Sequence, residues 1–320
     1  MRHGESEFNN ANIFTGWCDV ALTPRGRVES SEAGQVFASH HLTFRTCYTS
    51  LLTRSIVTAN RALEAAGVAF TPLHYDWRLN ERHYGALQGL SKERTATRLG
   101  RKRVMQWRRS YEARPPIMTP EHPHYEIIQN DVRYKHLEGN IPLGESLQDC
   151  QTRSLEAWQD IVEDIQKADP TRDHSRYSLL VAHANTLRAL VMHIDNIPPE
   201  EIEDLNIPTA IPFYYDIDKT TGQVLNDEGG GAGRFSGVYI ADERKKRSFL
   251  ERRRAANDPW LWALHDNQVS RSLLVDDGTS DEGEFQEEEE EESLDGIEAE
   301  AAHNTQLFSP TSRQGDEVED

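Results

Sequence analysis

The chain has 320 residues, 37 % of them apolar, and a formal charge of −19 at pH 7, which allows one large α/β domain or two small ones but leaves a marked acidic excess. That excess is local: residues 272–320 carry −17 of it, so residues 1–271 are nearly neutral and the charge describes an appended solvated tail, not the substrate. Three scattered cysteines (Cys18, Cys47, Cys150) argue against a disulfide framework or zinc site, no apolar run approaches the roughly 18 residues needed to span a bilayer, and no secretory signal pattern opens the chain, so a cytoplasmic location is expected.

In chain order, residues 24–39 begin Pro-Arg-Gly-Arg and continue at amphipathic spacing, which predicts a helix with proline in its first turn. Residues 46–50 form a short β-type run, and residues 52–66 predict a helix stopped by Gly67. Residues 91–111 read as one charged helix, and residues 113–144, rich in proline, histidine and polar groups, mostly as loop. Residues 145–168 place Leu147, Leu155, Trp158, Ile161 and Ile165 on one side of a helix. Residues 177–182 are continuously apolar after their start, as a strand buried on both faces should be. Residues 186–194 are apolar at helical spacing, and residues 213–217 form a last strand. Strands alternating with helices predict a largely parallel sheet covered on both faces. A glycine-rich break follows at 229–233, then a densely basic, helix-compatible run at 244–254. From about Asp276 the composition, with six consecutive glutamates at 287–292, is too poor in apolar residues to offset its ordering entropy.

The segment with most chemical content is Arg2-His3-Gly4-Glu5-Ser6, followed by Asn9 and then Thr15-Gly16-Trp17. Glycine permits close backbone approach, arginine offers a planar fork to phosphate oxygens, and neighbouring positive charge keeps an imidazole neutral and nucleophilic. An isolated Arg-His-Gly would read as an ordinary tail. Here further elements follow: Tyr48-Thr49-Ser50 with Arg54; Trp77-Arg78-Leu79-Asn80-Glu81-Arg82-His83-Tyr84-Gly85; Trp107-Arg108-Arg109-Ser110-Tyr111; Gly144-Glu145-Ser146-Leu147; Ala182-His183-Ala184-Asn185-Thr186; and Leu205-Asn206-Ile207-Pro208-Thr209.

Taken together these elements resemble the histidine phosphatase superfamily and, within it, the 2,3-bisphosphoglycerate-dependent phosphoglycerate mutases, from Arg2 to about Ile217. The resemblance implies a three-layer α/β/α sandwich with a mixed, mostly parallel sheet. It implies that His3 accepts phosphate, that Arg2, Arg54 and His183 surround the phosphoryl group, and that Glu81 is the general acid/base. It implies that Asn9, Thr15 and Gly16 hold substrate and phosphate oxygens, with Ala184 and Asn185 beside them. Tyr84, Lys92, Arg108 and Arg109 then bind the carboxylate and the phosphate that is not transferred. The implied reaction is interconversion of 3- and 2-phosphoglycerate through a phosphohistidine, primed by 2,3-bisphosphoglycerate as cofactor, with no metal. A bisphosphoglycerate synthase or phosphatase shares the same site, and a catalytically impaired scaffold protein is the alternative from another class. The expected partner is a small-molecule phosphoglycerate, with no nucleic acid and no membrane; a homo-oligomer is left open. Taken alone, Glu81 reads as a surface partner of Arg78 or Arg82, and His183 as a core histidine.

Two features depart from that family. It places an apolar β-strand just before Arg-His-Gly, whereas this sequence begins at Met1. The expectation is therefore an empty or otherwise filled central slot and a nucleophile on a fraying terminus, with Met1 a misassigned start or a truncation. Ala184 stands where the family usually has glycine, which puts a Cβ in a tight place. The expected organisation is a catalytic domain over 1–235, a basic helical extension over 236–271 and a disordered acidic tail over 272–320.

Overall fold

The computed structural model describes residues 1–137, 139–169, 175, 177–225, 235–240 and 297–307. Three parallel strands form the centre of the sheet: β1 (Phe44–Thr49), β2 (Leu73–Tyr75) and β3 (Tyr177–Val181), in the order β2-β1-β3. β1 pairs with both neighbours. Side chains alternate across it. Cys47, Leu179 and Val181 face one core with Met1, Ala33, Phe37, Ala59 and Leu63, and Tyr48 and Leu180 face another with Leu79, Ala157 and Ile161. The first core is closed by α2 (Pro24–Ser39) and α3 (Thr53–Ala65), the second by α7 (Leu147–Lys167). α8 (Ala184–Ile194) packs beside α7 over Leu147, Ala182 and Leu187. Helices on both faces of a parallel sheet make the expected three-layer α/β/α sandwich.

Local chemistry starts these helices. Thr23 accepts from the Gly26 N–H and Pro24 takes the first helical position of α2. Ser146 and Asp149 form a reciprocal capping box at the start of α7. A short helix α1 (Glu7–Asn10) is closed in the same way by Ser6 and Asn9.

The central slot is held by the first residues of the chain. The Met1 amino group donates to Leu180 O at 2.6 Å, Ala182 N to Met1 O at 3.1 Å, and His3 N to Ala182 O at 3.0 Å; on the far side Ala210 N donates to Arg2 O at 3.0 Å. Met1 is 4 % exposed and sits in the core. The expectation of a fraying nucleophile is thus corrected: His3 is bonded into the sheet and buried. Burial also pushes the Met1 amino group down to about 5.

Other differences have local causes. The single helix expected over 91–111 is two, α4 (Lys92–Leu99) and α5 (Arg101–Arg109), because Gly100 adopts φ +85° between them. The stretch 113–144 contains α6 (Tyr125–Gln129) and a 3₁₀ turn, Val132–Leu137. The expected strand at 213–217 is two short pieces, β4 (Phe213–Tyr214) and β5 (Asp216–Ile217); β5 pairs antiparallel with β6 (Val224–Leu225) and β4 with β7 (Val238–Tyr239). Within the stretch read as an acidic tail, Ile297–Leu307 forms a helix, α9, with Ala301 buried against the body; the other residues of 272–320 lie outside the described ones. The glycine-rich break at 229–233 and the basic run at 244–254 both lie outside the described residues. Among the described residues no helix is long and apolar enough to cross a membrane.

Candidate active site

The carboxyl ends of β1 and β3 converge on His3, which is 2 % exposed. His3 Nδ1 lies 2.6 Å from the Gly4 carbonyl oxygen. A carbonyl only accepts, so Nδ1 carries the ring proton and Nε2 keeps its lone pair. Burial first, then the Arg54 and Arg2 guanidinium groups, holds the imidazole well below its usual range. His3 is therefore neutral near pH 7, the form a nucleophile needs. Gly4 is obligatory for packing: a Cβ there would stand 2.3 Å from Gly26 O in α2.

Arg54, in the first turn of α3, donates to Cys18 O at 2.9 Å and Gly16 O at 2.8 Å, and its Nε is buried without a partner. Arg2 donates to Ile207 O at 3.0 Å, and its Nε is likewise unpartnered. His183 follows β3 at the start of α8, its ring centroid 4.9 Å from that of His3. Its Nε2 is 2.8 Å from Ser50 Oγ, which also accepts from Leu52 N–H. Ser50 can thus donate to Nε2, which leaves the ring proton on Nδ1, a buried atom with no partner. Burial, Arg54 and His3 keep His183 neutral as well. Arg2 and Arg54, whose charges act on His3, and His183, whose ring packs against it, each keep one buried N–H without a partner. A phosphoryl group, with three acceptor oxygens, is the chemical species that would satisfy such donors.

Glu81 is almost buried, and its Oε1 accepts from Arg82 N at 2.9 Å and Asn185 N at 3.1 Å. The same α8 start therefore positions both His183 and the carboxylate. The amide used is that of Asn185, and Ala184 takes ordinary helical geometry with no positive φ, so its Cβ causes no backbone strain there. Asn185 Nδ2 also reaches Tyr84 OH at 3.3 Å, and Arg188 fixes its Oδ1 at 3.0 Å. Gly16 has φ +50°, and Gln88 fills the space a Cβ would need. Thr15 lies beside it, almost buried. Asn9 Oδ1 accepts from Ser6 N–H in the α1 capping box, so that oxygen is committed to the fold.

The rim is cationic. Lys92 opens α4, with its ammonium 5.9 Å from the Phe14 ring centroid. Burial, then Arg108, Arg2 and Arg109, push Lys92 down to about 7. Arg108 and Arg109 end α5, and Arg109 donates to Glu203 O at 3.3 Å. Burial would raise the Tyr84 phenol, but Arg82, 4.5 Å from the ring centroid, and Arg108 outweigh it and lower it.

Residues with no role in the sequence reading hold Glu81 in place. Buried Arg153 pairs with both oxygens of buried Glu145, at 2.7 and 2.8 Å, and donates to the carbonyls of Arg78, Asn80 and Glu81 at 2.8–2.9 Å. Glu145 Oε2 accepts from His83 N at 2.7 Å, and Trp17 Nε1 donates to Glu81 O at 2.7 Å. The available signal was an arginine on the inward stripe of α7, beside Cys150 and Ala157.

Residues 1–226 match the model of the histidine phosphatase superfamily, branch 1. The chain is 44 % identical over 239 residues to a 2,3-bisphosphoglycerate-dependent phosphoglycerate mutase of Rhodococcus opacus (strain B4), covering 73 % of this chain and 92 % of that protein. A protein of the same name from Mycobacterium leprae (strain Br4923) is 47 % identical over 219 residues, covering 68 % and 85 %. Among solved structures, Mycobacterial hydrolase 1 superposes with a TM-score of 0.52 at 21 % identity over 72 % of this chain and 96 % of that one. A putative alpha-ribazole-5'-P phosphatase from Escherichia coli superposes at 0.51 and 19 % identity over 70 % and 91 %; both likenesses concern the fold alone. The chain belongs to the histidine phosphatase superfamily, branch 1, and within it to the 2,3-bisphosphoglycerate-dependent phosphoglycerate mutases.

Proposed function

We propose that this chain interconverts 3- and 2-phosphoglycerate in the cytoplasm, with His3 carrying the phosphoryl group between turnovers. The observation that carries the reading is His3 itself: a buried, neutral imidazole with its lone pair on Nε2, close to Arg2, Arg54 and His183, each of which keeps a buried unpartnered donor. The residues present fit 2,3-bisphosphoglycerate, because those donors suit one phosphate and the Lys92, Arg108 and Arg109 rim suits the remaining anionic groups. When bound, that molecule supplies the phosphoryl group that primes His3.

His3 Nε2 accepts the phosphoryl group in line, and the Nδ1–H bond to Gly4 O stabilises the positive charge the ring then gains. Arg2, Arg54 and His183 stabilise the charge on the equatorial oxygens; since phosphoryl transfer needs little covalent help, fixed donors supply most of the catalysis. Glu81 takes the proton from the substrate hydroxyl as its oxygen forms a bond to phosphorus and the His3 P–N bond breaks. It returns that proton to the hydroxyl released when His3 is phosphorylated again. Asn9, Thr15 and Gly16, with Ala184 and Asn185 beside them, are assigned to substrate and phosphate oxygens, and Tyr84 joins the rim that takes the carboxylate and the phosphate that is not transferred.

The test is incubation with 2,3-bisphosphoglycerate followed by a search for an acid-labile, base-stable phosphoryl adduct on His3. An adduct with interconversion of the monophosphates is the expected result. An adduct that mainly releases inorganic phosphate makes the chain a phosphatase, and a folded protein with no adduct overturns both.

A further inference from the structure

The family match ends at residue 226, yet α9, drawn from the acidic tail, is docked on the body beside the substrate rim. Ala301 is fully buried in the cluster of Phe14, Leu87, Leu90, Ala96, Leu99 and Val104. Its fit depends on Gly89, which has φ +82°; a Cβ there would come within 3.2 Å of the Ala301 Cβ. Glu300 Oε1 accepts from Ser91 N–H at 3.2 Å, at the amino end of α4, and pairs with Arg94 at 3.5 Å. A carboxylate there satisfies a free helix-end donor and complements the helix dipole. One turn further, Asn304 Nδ2 donates to Gly89 O at 2.7 Å. The anchors fall at 300, 301 and 304, one face of a helix.

The residues so gripped belong to the substrate side. Gly89 N donates to Phe14 O and Phe14 N to Leu90 O, both at 2.9 Å, and Lys92 N donates to Asn12 O at 3.0 Å. The segment 89–92 thus ties the loop that leads into Thr15 and Gly16 to the residue that presents Lys92. We infer that the surface formed by Gly89, Ser91 and Arg94 is a docking site for an acidic helix with the pattern Glu-Ala-x-x-Asn, that the chain's own 300–304 is its occupant, and that docking holds Lys92 and the Phe14–Gly16 loop in their ligand-binding arrangement. The effect on Lys92 rests on the mutase reading; the docking does not. Arg94 is largely exposed, so its ion pair contributes orientation more than affinity. Burial of Ala301 and the Ser91 and Gly89 hydrogen bonds carry the contact.

The full-length chain tests this through Ala301→Asp, which forces a carboxylate into the cluster, with exposed His303→Asp as the charge-matched control. In Ala301→Asp the Ser91 amide should exchange hydrogen about ten-fold faster and calorimetric affinity for 3-phosphoglycerate should fall about five-fold, with neither changed in His303→Asp. Glu300→Gln, which keeps an acceptor for Ser91, should show a smaller change of the same sign. Unchanged Ser91 exchange in Ala301→Asp overturns the docking, and unchanged affinity despite faster exchange overturns its effect on Lys92. A wild-type chain that does not interconvert the phosphoglycerates sinks the mutase reading instead, while the exchange measurement still judges the docking.

Discussion

Arg54 and Arg153 on the floor of the site, and Lys92, Arg108 and Arg109 on its rim, are all buried or half-buried cations, but they are held in opposite ways. The floor arginines direct their donors to backbone carbonyls: Arg54 to Cys18 and Gly16, Arg153 to Arg78, Asn80 and Glu81. The rim cations have little comparable support. Arg109 has one 3.3 Å bond to Glu203 O, Arg108 a 3.9 Å contact with Met105 Sδ within its own helix, and Lys92 an aromatic face. Locked donors cost no reorganisation when charge develops and so act on the transition state. Loosely held cations gain most when a charged ligand arrives and so act on binding. The comparison therefore separates substitutions that lower kcat from those that raise KM.

The largest break is His3→Ala, which removes the only atom proposed to hold phosphate between turnovers. Mutase kcat should fall by at least about 10⁴-fold with the phosphohistidine adduct lost. Retention of most turnover would remove the floor from the mechanism altogether.

Next is Arg153→Met, a positioning change that touches no substrate. It leaves Glu145 as a buried, unpaired carboxylate, which costs about 3–5 kcal/mol of stability. It also removes one of the two donors on the Glu81 carbonyl, leaving Trp17 Nε1 alone, so kcat should fall about 10²-fold with KM little changed. Glu145→Gln with Arg153 intact keeps the carbonyl bonds and should recover part of kcat. A variant that loses stability in denaturant titration but keeps wild-type kcat would make the clamp merely structural. On the rim, Arg109→Ala should instead raise KM about ten-fold while kcat falls less than KM rises.

The same contrast explains what was legible in the sequence. His3, Arg54, Glu81 and His183 were singled out through the family resemblance that their ordered motifs carry, since Glu81 alone reads as a surface ion-pair partner and His183 alone as a core histidine. The α2, α3, α7 and β3 segments were readable because their apolar spacing matches the faces they bury. Arg153 was hidden because a charged residue on a helix ordinarily faces water, and only the folded chain brings Glu145 and the carbonyls of Arg78, Asn80 and Glu81 together to make it tolerable inside. The break at Gly100 was present as a glycine within a charged run, but nothing in the pattern marked its positive φ. α9 was invisible for a different reason: averaged over 272–320 the composition is that of a solvated tail, and its docking depends on a three-residue match to a surface that only the folded body supplies. That Met1 and Arg2 themselves occupy the central slot was not foreseen, because their pairing with Ala182 and Thr209 is a matter of register, not composition.

The smallest expected effect is the sharpest test of the rim, because it reads a proton, not a rate. Lys92 is pushed down to about 7 by burial and by Arg108, Arg2 and Arg109. A bound anion offsets both causes and raises it again. Below about pH 7 the ammonium is already charged in the free protein, so binding takes up little through this group. Above pH 7 the free protein is largely deprotonated at Lys92, so binding 3-phosphoglycerate should draw in up to about one proton at pH 8, and affinity should weaken as pH rises through 7. Calorimetry in two buffers of different ionisation enthalpy measures that uptake directly. Lys92→Arg keeps the charge at every pH and should abolish the uptake near pH 8 while preserving most of the affinity. His3 and His183 also face the anion, but the substitution leaves both unchanged, so uptake that persists in Lys92→Arg would assign the proton to them and show that the rim lysine is an ordinary charged side chain.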